Sequence, residues 1–203
     1  MAATLAKQQA NRWPALLEAA ATLFAERGYH ATTIRDVAQA AGVTPGALYF
    51  HVPTKQALLV AVYTEGVDRI VRHVDNLVDQ ETEPARRFRR AIEAHLESIL
   101  DASAFARVIV RVIPDDVPEA AAELRAQRDR YETRFRALIA ALGLPSDRSP
   151  TLLRMLLLGA LNSTPIWYRR SSGGLDTIVD EFVAVFGSGP SGPNAKPRRR
   201  SNR

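Results

Sequence analysis

Residues 33–51 read TIRDVAQAAGVTPGALYFH, and this stretch decides the fold of the N-terminal part of the chain. Thr33, with an acidic residue three positions later, has the pattern of a capping box at the start of a helix. Gly42 permits a sharp turn because it has no Cβ, and Thr44 followed by Pro45 supplies the cap and first-turn proline of a second helix. The spacing predicts a helix-turn-helix, in which the second helix enters the major groove of DNA. An ordinary helical corner is the alternative interpretation of the same spacing.

Helical signals continue on both sides of this stretch. Apolar residues at helical spacing, from Trp13 to Phe24, predict a preceding helix over about 11–27. Prolines stand at the apparent starts of later helices, and glycines follow several of their ends. The other segments predicted as helices are approximately 55–80, 84–99, 103–113, 119–142, 149–170 and 176–186. Since no alternating strand pattern is present, the sequence predicts an all-α protein of about nine helices.

Charge is concentrated at the C-terminal end. The chain has 203 residues, with 27 Lys and Arg against 22 Asp and Glu, and a formal net charge of +5. The tail, 187–203, contains five basic and no acidic residues, so the rest of the chain is neutral. Nucleic-acid binding must therefore be argued from a placed motif and not from bulk charge. The Gly, Pro and Ser content of the tail predicts that it is disordered.

Several classes of protein are excluded or disfavoured. The chain has no cysteine, which excludes disulfide scaffolds, thiol chemistry and cysteine-ligated zinc. Its four histidines are scattered, without an HExxH motif, a phosphate-binding glycine loop or a G-x-S-x-G elbow, so we expect no catalytic site, cofactor or metal. His73 and His95 are interpreted as surface or lightly buried helix residues. The most apolar run, 152–161, is too short for a membrane span and no signal peptide is recognised, which predicts a cytoplasmic protein.

From about Leu17 to Leu58 the chain resembles the DNA-binding domain of the TetR family of transcriptional regulators. The positions that carry the resemblance are Ala20, Phe24, Gly28, Thr33, Ile34, Val37, Ala38, Ala41, Gly42, Val43, Leu48, Tyr49, Phe50, His51, Lys55 and Leu58. Val52 departs from the family's pattern, where phenylalanine is common, although valine still packs. The resemblance implies a three-helix DNA-binding domain over 1–55 and a helical ligand-binding and dimerisation domain over 56–186.

The resemblance implies DNA contacts at eight residues: Thr33, Arg35, Thr44, Pro45, Gly46, Tyr49, His51 and Lys55. Tyr49 would direct its hydroxyl at a phosphate, Lys55 would meet a phosphate beside the start of its helix, and His51 would contact the backbone or a base edge. The plainer alternatives are a partly core role for Tyr49, capping alone for the two threonines and a solvated charge for Arg35. Residues 44–50 include no Arg, Lys, Asn or Gln, so bidentate base recognition from this helix is excluded.

The C-terminal helices lead to two further predictions. Family members pair through their last two long helices, which implies a dimer interface at Leu153, Leu156, Leu157, Ala160, Phe182 and Phe186; burial inside the monomer is the alternative. The resemblance also implies an effector pocket, with the candidate lining Phe105, Tyr131, Phe135, Asn162, Trp167 and Tyr168. Residues 156–174 are similar to a segment of TetR-type regulators of fatty-acid and sterol catabolism, which sense acyl-CoA thioesters.

Together these features predict a ligand-responsive transcriptional repressor. It would bind a palindromic operator in double-stranded DNA as a homodimer and be released by a small hydrophobic effector or an acyl-CoA thioester. Two alternatives stay open at this point: a helical protein-interaction module without specific DNA binding, and an activator of the same family.

Overall fold

The computed structural model describes residues 12–101, 103–145, 147–169 and 174–187. Within these residues the protein is all-helical, with nine α-helices and no strand, as predicted. The helices are α1 (Trp13–Arg27), α2 (Ile34–Ala40), α3 (Pro45–His51), α4 (Lys55–Val78), α5 (Pro84–Leu100), α6 (Ala104–Arg111), α7 (Ala121–Ala141), α8 (Pro150–Trp167) and α9 (Leu175–Phe186). No helix in this part of the chain has the length and apolarity needed to cross a membrane. The predicted disordered tail lies, apart from Gly187, outside the described residues.

Two apolar cores hold the helices together. We call residues 12–54, which contain α1–α3, the head, and the described part of 55–187 the body. The first core joins them, because Leu48 of α3 packs in one cluster with Leu58 of α4 and Phe105 of α6. The second core lies in the body, between the C-terminal half of α4 and helices α5, α7, α8 and α9. Helix α4 contributes to both cores and therefore connects the head mechanically to the body.

The turn between α2 and α3 is fixed by local chemistry. Thr33 Oγ1 accepts a hydrogen bond from the Asp36 backbone N–H at 3.2 Å, and the Asp36 carboxylate accepts one from the Thr33 N–H at 2.8 Å, which completes the predicted capping box. Gly42 has φ of +65°, a left-handed conformation that favours glycine. Just after it, the Val43 N–H donates to Ala38 O at 2.9 Å, the hydrogen bond of a Schellman turn. These contacts set the angle between the two helices.

Two interpretations made from the sequence require correction. His95 is only 2% exposed, so it is a core residue of α5 and not a surface one. Its place on the same helical face as Ile92 and Ile99 puts it into the second core, with the apolar residues of that face. Leu157 is fully buried within the chain, so the alternative of burial inside the monomer holds for it, whereas the adjacent Leu156 points outward.

Candidate nucleic-acid interface and cavity

The outer face of α3 is open to solvent. Leu48 points inward and is completely buried, while Tyr49 and Phe50 expose 52% and 76% of their surface. The other predicted contact residues that are exposed are Thr33, Arg35, Thr44, Pro45 and Gly46. Six of the eight predicted residues are therefore accessible. The predicted site does not include Phe50, although its position beside Tyr49 in the helix-turn-helix stretch is a signal for it.

The two cap threonines differ in what their hydroxyl groups can still do. Thr33 Oγ1 donates to the Asp36 carboxylate at 2.6 Å, and hydrogen bonds from Thr33 hold the pKa of Asp36 below its ordinary value. The Thr33 hydroxyl proton is thus committed to the cap. Thr44 Oγ1 accepts from the Ala47 N–H at 3.2 Å, and no acceptor for its own proton is found among the described residues. Of the two, Thr44 is the one able to donate to a ligand without breaking its cap.

His51 lies at the end of α3, where it joins the helix to the start of α1. Its ring stacks on Trp13 with centroids 5.5 Å apart and meets the edge of Phe50 at 5.9 Å. The side chain is half-buried. His51 therefore combines a packing role with partial access to solvent.

The amine of Lys55 is turned toward the loop before α2. Lys55 Nζ donates to Tyr29 O and Thr32 O, each at 3.0 Å, and lies 3.5 Å from His30 O. It also lies 4.3 Å from the centroid of the Tyr29 ring, a cation–π contact. In this conformation Lys55 ties the loop between α1 and α2 to the start of α4, which the sequence did not predict.

A cavity of about 280 Å³ lies in the body between α4, α5, α6, α7 and α8. Its wall is mostly apolar, as is usual for small-molecule sites. The residues that bring polar groups to it are Tyr63, His95, Arg128, Tyr131, Glu132 and Asn162. Three lining residues of α8 (Met155, Gly159 and Asn162) are exposed, so the cavity opens beside α8.

His95, which is buried, and Tyr131, which is half-buried, form a polar pair in the wall of this cavity. His95 Nδ1 and the Tyr131 hydroxyl oxygen are 2.6 Å apart, and the two rings stack with centroids 5.7 Å apart. Burial lowers the pKa of His95 from 6.5 to about 4 and raises that of Tyr131 well above its ordinary value. The side chain of Asn162 lies close to His95 and raises its pKa, against the larger lowering by burial. Its amide nevertheless does not reach hydrogen-bond geometry, and Nε2 of His95 has no partner among the described residues.

The structure separates the predicted pocket residues into three groups. Tyr131 and Asn162 line the cavity, and Phe135 is fully buried behind them, with its ring against those of His95 and Tyr131. Phe105 lies elsewhere, with the Arg69 guanidinium carbon 3.9 Å from its ring centroid. Trp167 is exposed, and Tyr168 borders an open groove of about 870 Å³ at the end of α8. The structure therefore does not bring Phe105, Trp167 or Tyr168 to the cavity.

Comparison with known proteins follows this division of the chain. Residues 16–62 match the model described as "Bacterial regulatory proteins, tetR family", and residues 81–188 match "Tetracyclin repressor-like, C-terminal domain". The chain belongs to the TetR family. The resemblance carried by the helix-turn-helix is thereby confirmed, and the second match assigns the body to the same family.

Relatives of this TetR-family protein include both repressors and activators. The HTH-type transcriptional repressor KstR2 of Mycolicibacterium smegmatis is 35% identical over 99 residues, which are 49% of this chain and 48% of KstR2. The HTH-type transcriptional activator FasR of the same organism is 38% identical over 84 residues, 41% of this chain and 38% of FasR. The chain thus aligns with about half or less of these relatives. The crystal structure of AibR with isovaleryl coenzyme A and operator DNA shares the fold, with a TM-score of 0.71 and 24% identity over 87% of this chain and 98% of AibR.

Helix α6 of this TetR-family protein connects the cavity to the head. Ile109 and Val110 line the cavity, and the next residue, Arg111, donates from Nη1 to Ala25 O at the end of α1 over 2.6 Å. A Cβ at Gly66 of α4 would lie 2.7 Å from Ile109 Cδ1, so the missing side chain allows α6 to approach α4 closely. A change in the cavity wall at Ile109 therefore acts on a helix that is bonded directly to the head.

The outer side of α8 presents an apolar stripe. Its exposed large residues are Leu152, Met155, Leu156, Ile166 and Trp167. Of the other predicted interface residues, Leu153 and Ala160 are half-buried, and Phe182 and Phe186 of α9 are half-buried and stacked with centroids 6.1 Å apart. An exposed apolar stripe of this length is typical of a protein–protein interface.

Proposed function

We propose that the protein is a ligand-responsive transcriptional repressor. It binds a palindromic operator as a homodimer and is released by a small hydrophobic effector or an acyl-CoA thioester. The observation that carries the proposal is the exposed face of α3, which presents Thr44, Tyr49 and Phe50 while Leu48 anchors the opposite face. Tyr49 and Phe50 lie side by side on a seven-residue helix with more than half of their surface exposed, although Phe50 also meets the His51 ring, and a DNA groove accounts for this exposure.

Operator recognition rests on few polar contacts. Tyr49 directs its hydroxyl at a phosphate and Thr44 donates its free hydroxyl proton, while Pro45 and Phe50 offer apolar surface to thymine methyl groups. Because the helix has no long hydrogen-bonding side chain, the remaining specificity comes from backbone groups and from DNA shape. Lys55 contributes by holding the loop before α2 in place, and a direct phosphate contact requires it to exchange one of its carbonyl partners.

Dimerisation supplies the second recognition helix. A single short helix binds weakly, and two-fold dimers read half-sites one turn apart, about 34–36 Å, or a multiple of it. Support comes from the apolar stripe on α8, where Leu156 is 65% exposed, and from the adjoining Phe182 and Phe186 of α9. With Leu157 removed from the interface, this surface is the part of the predicted interface that remains available.

Effector binding releases the operator by favouring a different position of the head. A ligand shifts such an equilibrium only by the difference between its affinities for the two states. The cavity wall at Ile109 and Val110 provides that difference, because the Arg111 hydrogen bond passes any displacement of α6 to the end of α1. The His30 ring, 3.1 Å from Asp116 O, adds a second link between head and body.

The test is titration of the full chain against DNA from upstream of its own gene, with random DNA as competitor, over a series of salt concentrations. Arg35→Gln and Arg125→Gln form a matched pair, since each removes one exposed positive charge, on the head and on α7 respectively. We expect the salt slope to decrease by about one for Arg35→Gln alone. Binding that does not discriminate between upstream and random DNA would favour a helical protein-interaction module.

Activation is a second candidate for the same DNA-binding protein, because one relative is named as an activator. The two functions differ in where the operator lies relative to the promoter. Transcription in vitro from the bound upstream DNA distinguishes them: repression lowers transcript yield when protein is added, and activation raises it.

A further inference from the structure

We propose that the cavity takes an apolar molecule with one uncharged carbonyl oxygen, and that this oxygen accepts a hydrogen bond from Nε2–H of His95. The chemical class is a ketone, ester or thioester. This inference rests on the proposed ligand-responsive function, and it adds the functional group that the effector must carry.

His95 brings an unpaired buried nitrogen to the cavity wall. Nε2 of His95 is buried, belongs to a residue that lines the cavity, and has no hydrogen-bond partner among the described residues. Buried polar atoms are nearly always paired, and leaving one unpaired is unfavourable. A ligand oxygen that accepts a hydrogen bond from Nε2 therefore gains more binding free energy than one that replaces an existing hydrogen bond. Asn162, which lies beside the same cavity, has amide hydrogens to offer to the second lone pair of a carbonyl oxygen.

The proton on His95 is placed by its neighbour. Burial keeps the imidazole neutral and the Tyr131 phenol protonated. A neutral imidazole donates from one nitrogen and accepts at the other. The Tyr131 hydroxyl has Nδ1 as its one acceptor in the described part of the chain, at 2.6 Å, so Tyr131 donates to Nδ1 and the ring proton resides on Nε2. Because Nε2–H is a donor, the ligand atom must be an acceptor.

Size and charge restrict the ligand further. A cavity of about 280 Å³ holds about a dozen non-hydrogen atoms at the packing density of protein interiors. Its two charged lining residues, Arg128 and Glu132, have opposite signs. Arg128 Nε already donates to the Tyr63 hydroxyl at 3.0 Å, and Glu132 pairs with Arg154. The cavity therefore offers no net positive charge for a carboxylate, and a neutral acceptor fits it better. Larger thioesters can extend out beside α8, where the cavity opens.

The experiment uses three probes with the same eleven-atom skeleton: 4-phenyl-2-butanone, isopentylbenzene and 3-phenylpropanoate. A fourth probe, 3-phenylpropanoyl-coenzyme A, distinguishes a free carbonyl compound from a thioester on a large carrier. Affinities are measured by calorimetry on the full chain without DNA. We expect the ketone to bind at least about tenfold more tightly than the hydrocarbon and more tightly than the carboxylate. If the thioester binds more tightly than the ketone, the carrier adds contacts outside the cavity, and the carbonyl requirement still stands.

Variants show whether His95 is responsible. His95→Leu should abolish the preference for the ketone over the hydrocarbon while the hydrocarbon still binds, and His95→Gln should restore part of it, since the glutamine amide keeps a donor near the position of Nε2. His73→Leu is the matched control, because the His73 side chain is 43% exposed, pairs with Glu97 and lies outside the cavity. If His95→Leu does not fold, Tyr131→Phe serves instead, as it removes only the hydroxyl that places the proton. The preference should then fall several-fold.

Three results would overturn the inference: equal affinity for ketone and hydrocarbon in the unaltered chain, tighter binding of the carboxylate, or an unchanged preference in His95→Leu. Failure of all four probes to bind also overturns it. Operator release is measured separately with the same probes. A ketone that binds as expected but leaves the protein–DNA complex intact contradicts the proposed ligand switch and not the carbonyl site.

Discussion

The head and the body differ in how completely their buried polar groups are hydrogen-bonded. In the head, the caps at Thr33 and Thr44 and the turn at Gly42 satisfy the helix ends, and no buried side-chain nitrogen or oxygen without a partner is found among its described residues. The body contains all four such atoms that the described chain has, in His95, Arg107, Gln127 and Arg154. It also contains the cavity. The two parts therefore differ in how completely their buried polar groups are paired within the described chain, and one unpaired residue of the body, His95, lines the cavity.

The largest expected effect tests how much the packing of α3 into the first core contributes to the stability of the protein. Leu48→Ala removes the only completely buried side chain of α3 and leaves a hole in the first core. We expect a loss of about 2–5 kcal/mol in the free energy of unfolding, because the missing contacts and the residual cavity both destabilise the fold. Urea denaturation followed by circular dichroism measures it. Ala47→Ser, on the exposed side of α3, is the control, and a loss below 1 kcal/mol for Leu48→Ala would mean that α3 is not held by this core.

The next prediction concerns the pH dependence of stability that the buried His95 of the body causes. Its pKa is about 4 in the folded protein and near 6.5 when unfolded, so between these values the unfolded chain binds a proton that the folded chain does not. Above pH 6.5 this difference in proton binding does not affect the free energy of unfolding. As the pH decreases from 6.5 toward 4, it lowers the free energy of unfolding by about 3 kcal/mol in total. In His95→Leu that part of the pH dependence should vanish. Denaturant midpoints at several pH values provide the measurement, and parallel profiles for the two proteins would contradict a buried neutral His95.

A smaller effect concerns the capping box of the head. Thr33→Ala removes the Oγ1 acceptor of the Asp36 N–H and the hydroxyl that donates to its carboxylate. Loss of an N-cap of this kind costs about 0.5–2 kcal/mol. Thr133→Ala is a matched control, since Thr133 is exposed on α7 and only bonds back to Asp129 O. Thermal melting of the two variants compares them, and equal losses would show that the cap does not contribute to the rigidity of the head.

The smallest effect on stability separates folding from DNA contact. Gly46 has helical backbone geometry, and a Cβ there would meet nothing within 4 Å, so Gly46→Ala should stabilise the protein by about 0.4–1 kcal/mol. If the start of α3 approaches DNA closely, the same variant loses operator affinity. Gly42→Ala is the counter-example, because its positive φ makes any side chain strained. A Gly46→Ala protein that is more stable and binds the operator unchanged would exclude close approach at this position.

Much of the fold was predictable because local chemistry decides it. Pro45, Pro84 and Pro150 begin α3, α5 and α8 where the sequence predicted. Thr33, Thr44 and Ser149 cap α2, α3 and α8 by accepting hydrogen bonds from nearby backbone N–H groups. These signals act within one helical turn, so they can be read without knowledge of the rest of the chain. Six of the eight residues predicted to contact DNA are exposed, and their contact with DNA stays a prediction.

The cavity could not be predicted in the same way, since five helices build it. The apolar neighbours of His95 at helical spacing were visible in the sequence, yet only the packing of α7 against α5 brings Tyr131 to its Nδ1. Leu156 and Leu157 are adjacent and chemically identical, and the helical rotation of about 100° per residue decides which of them faces solvent. Phe105 and Tyr131 looked equivalent as pocket candidates, but α6 directs the first toward Arg69 instead.

Three of the polar links between head and body share one property that concerns tolerance of substitution, whereas the Arg69–Glu18 ion pair uses side chains on both sides. Arg111 bonds to Ala25 O, Lys55 to Tyr29 O and Thr32 O, and the His30 ring lies against Asp116 O, so each of these contacts uses a main-chain carbonyl on one side. A carbonyl is present whatever amino acid occupies the position. The hydrogen bonds themselves therefore constrain the side chain on the donor side only, whereas Ala25, Tyr29 and Thr32 are constrained by their own burial. A substitution that leaves the backbone in place therefore keeps these linkages, provided that Arg111, Lys55 and His30 are retained.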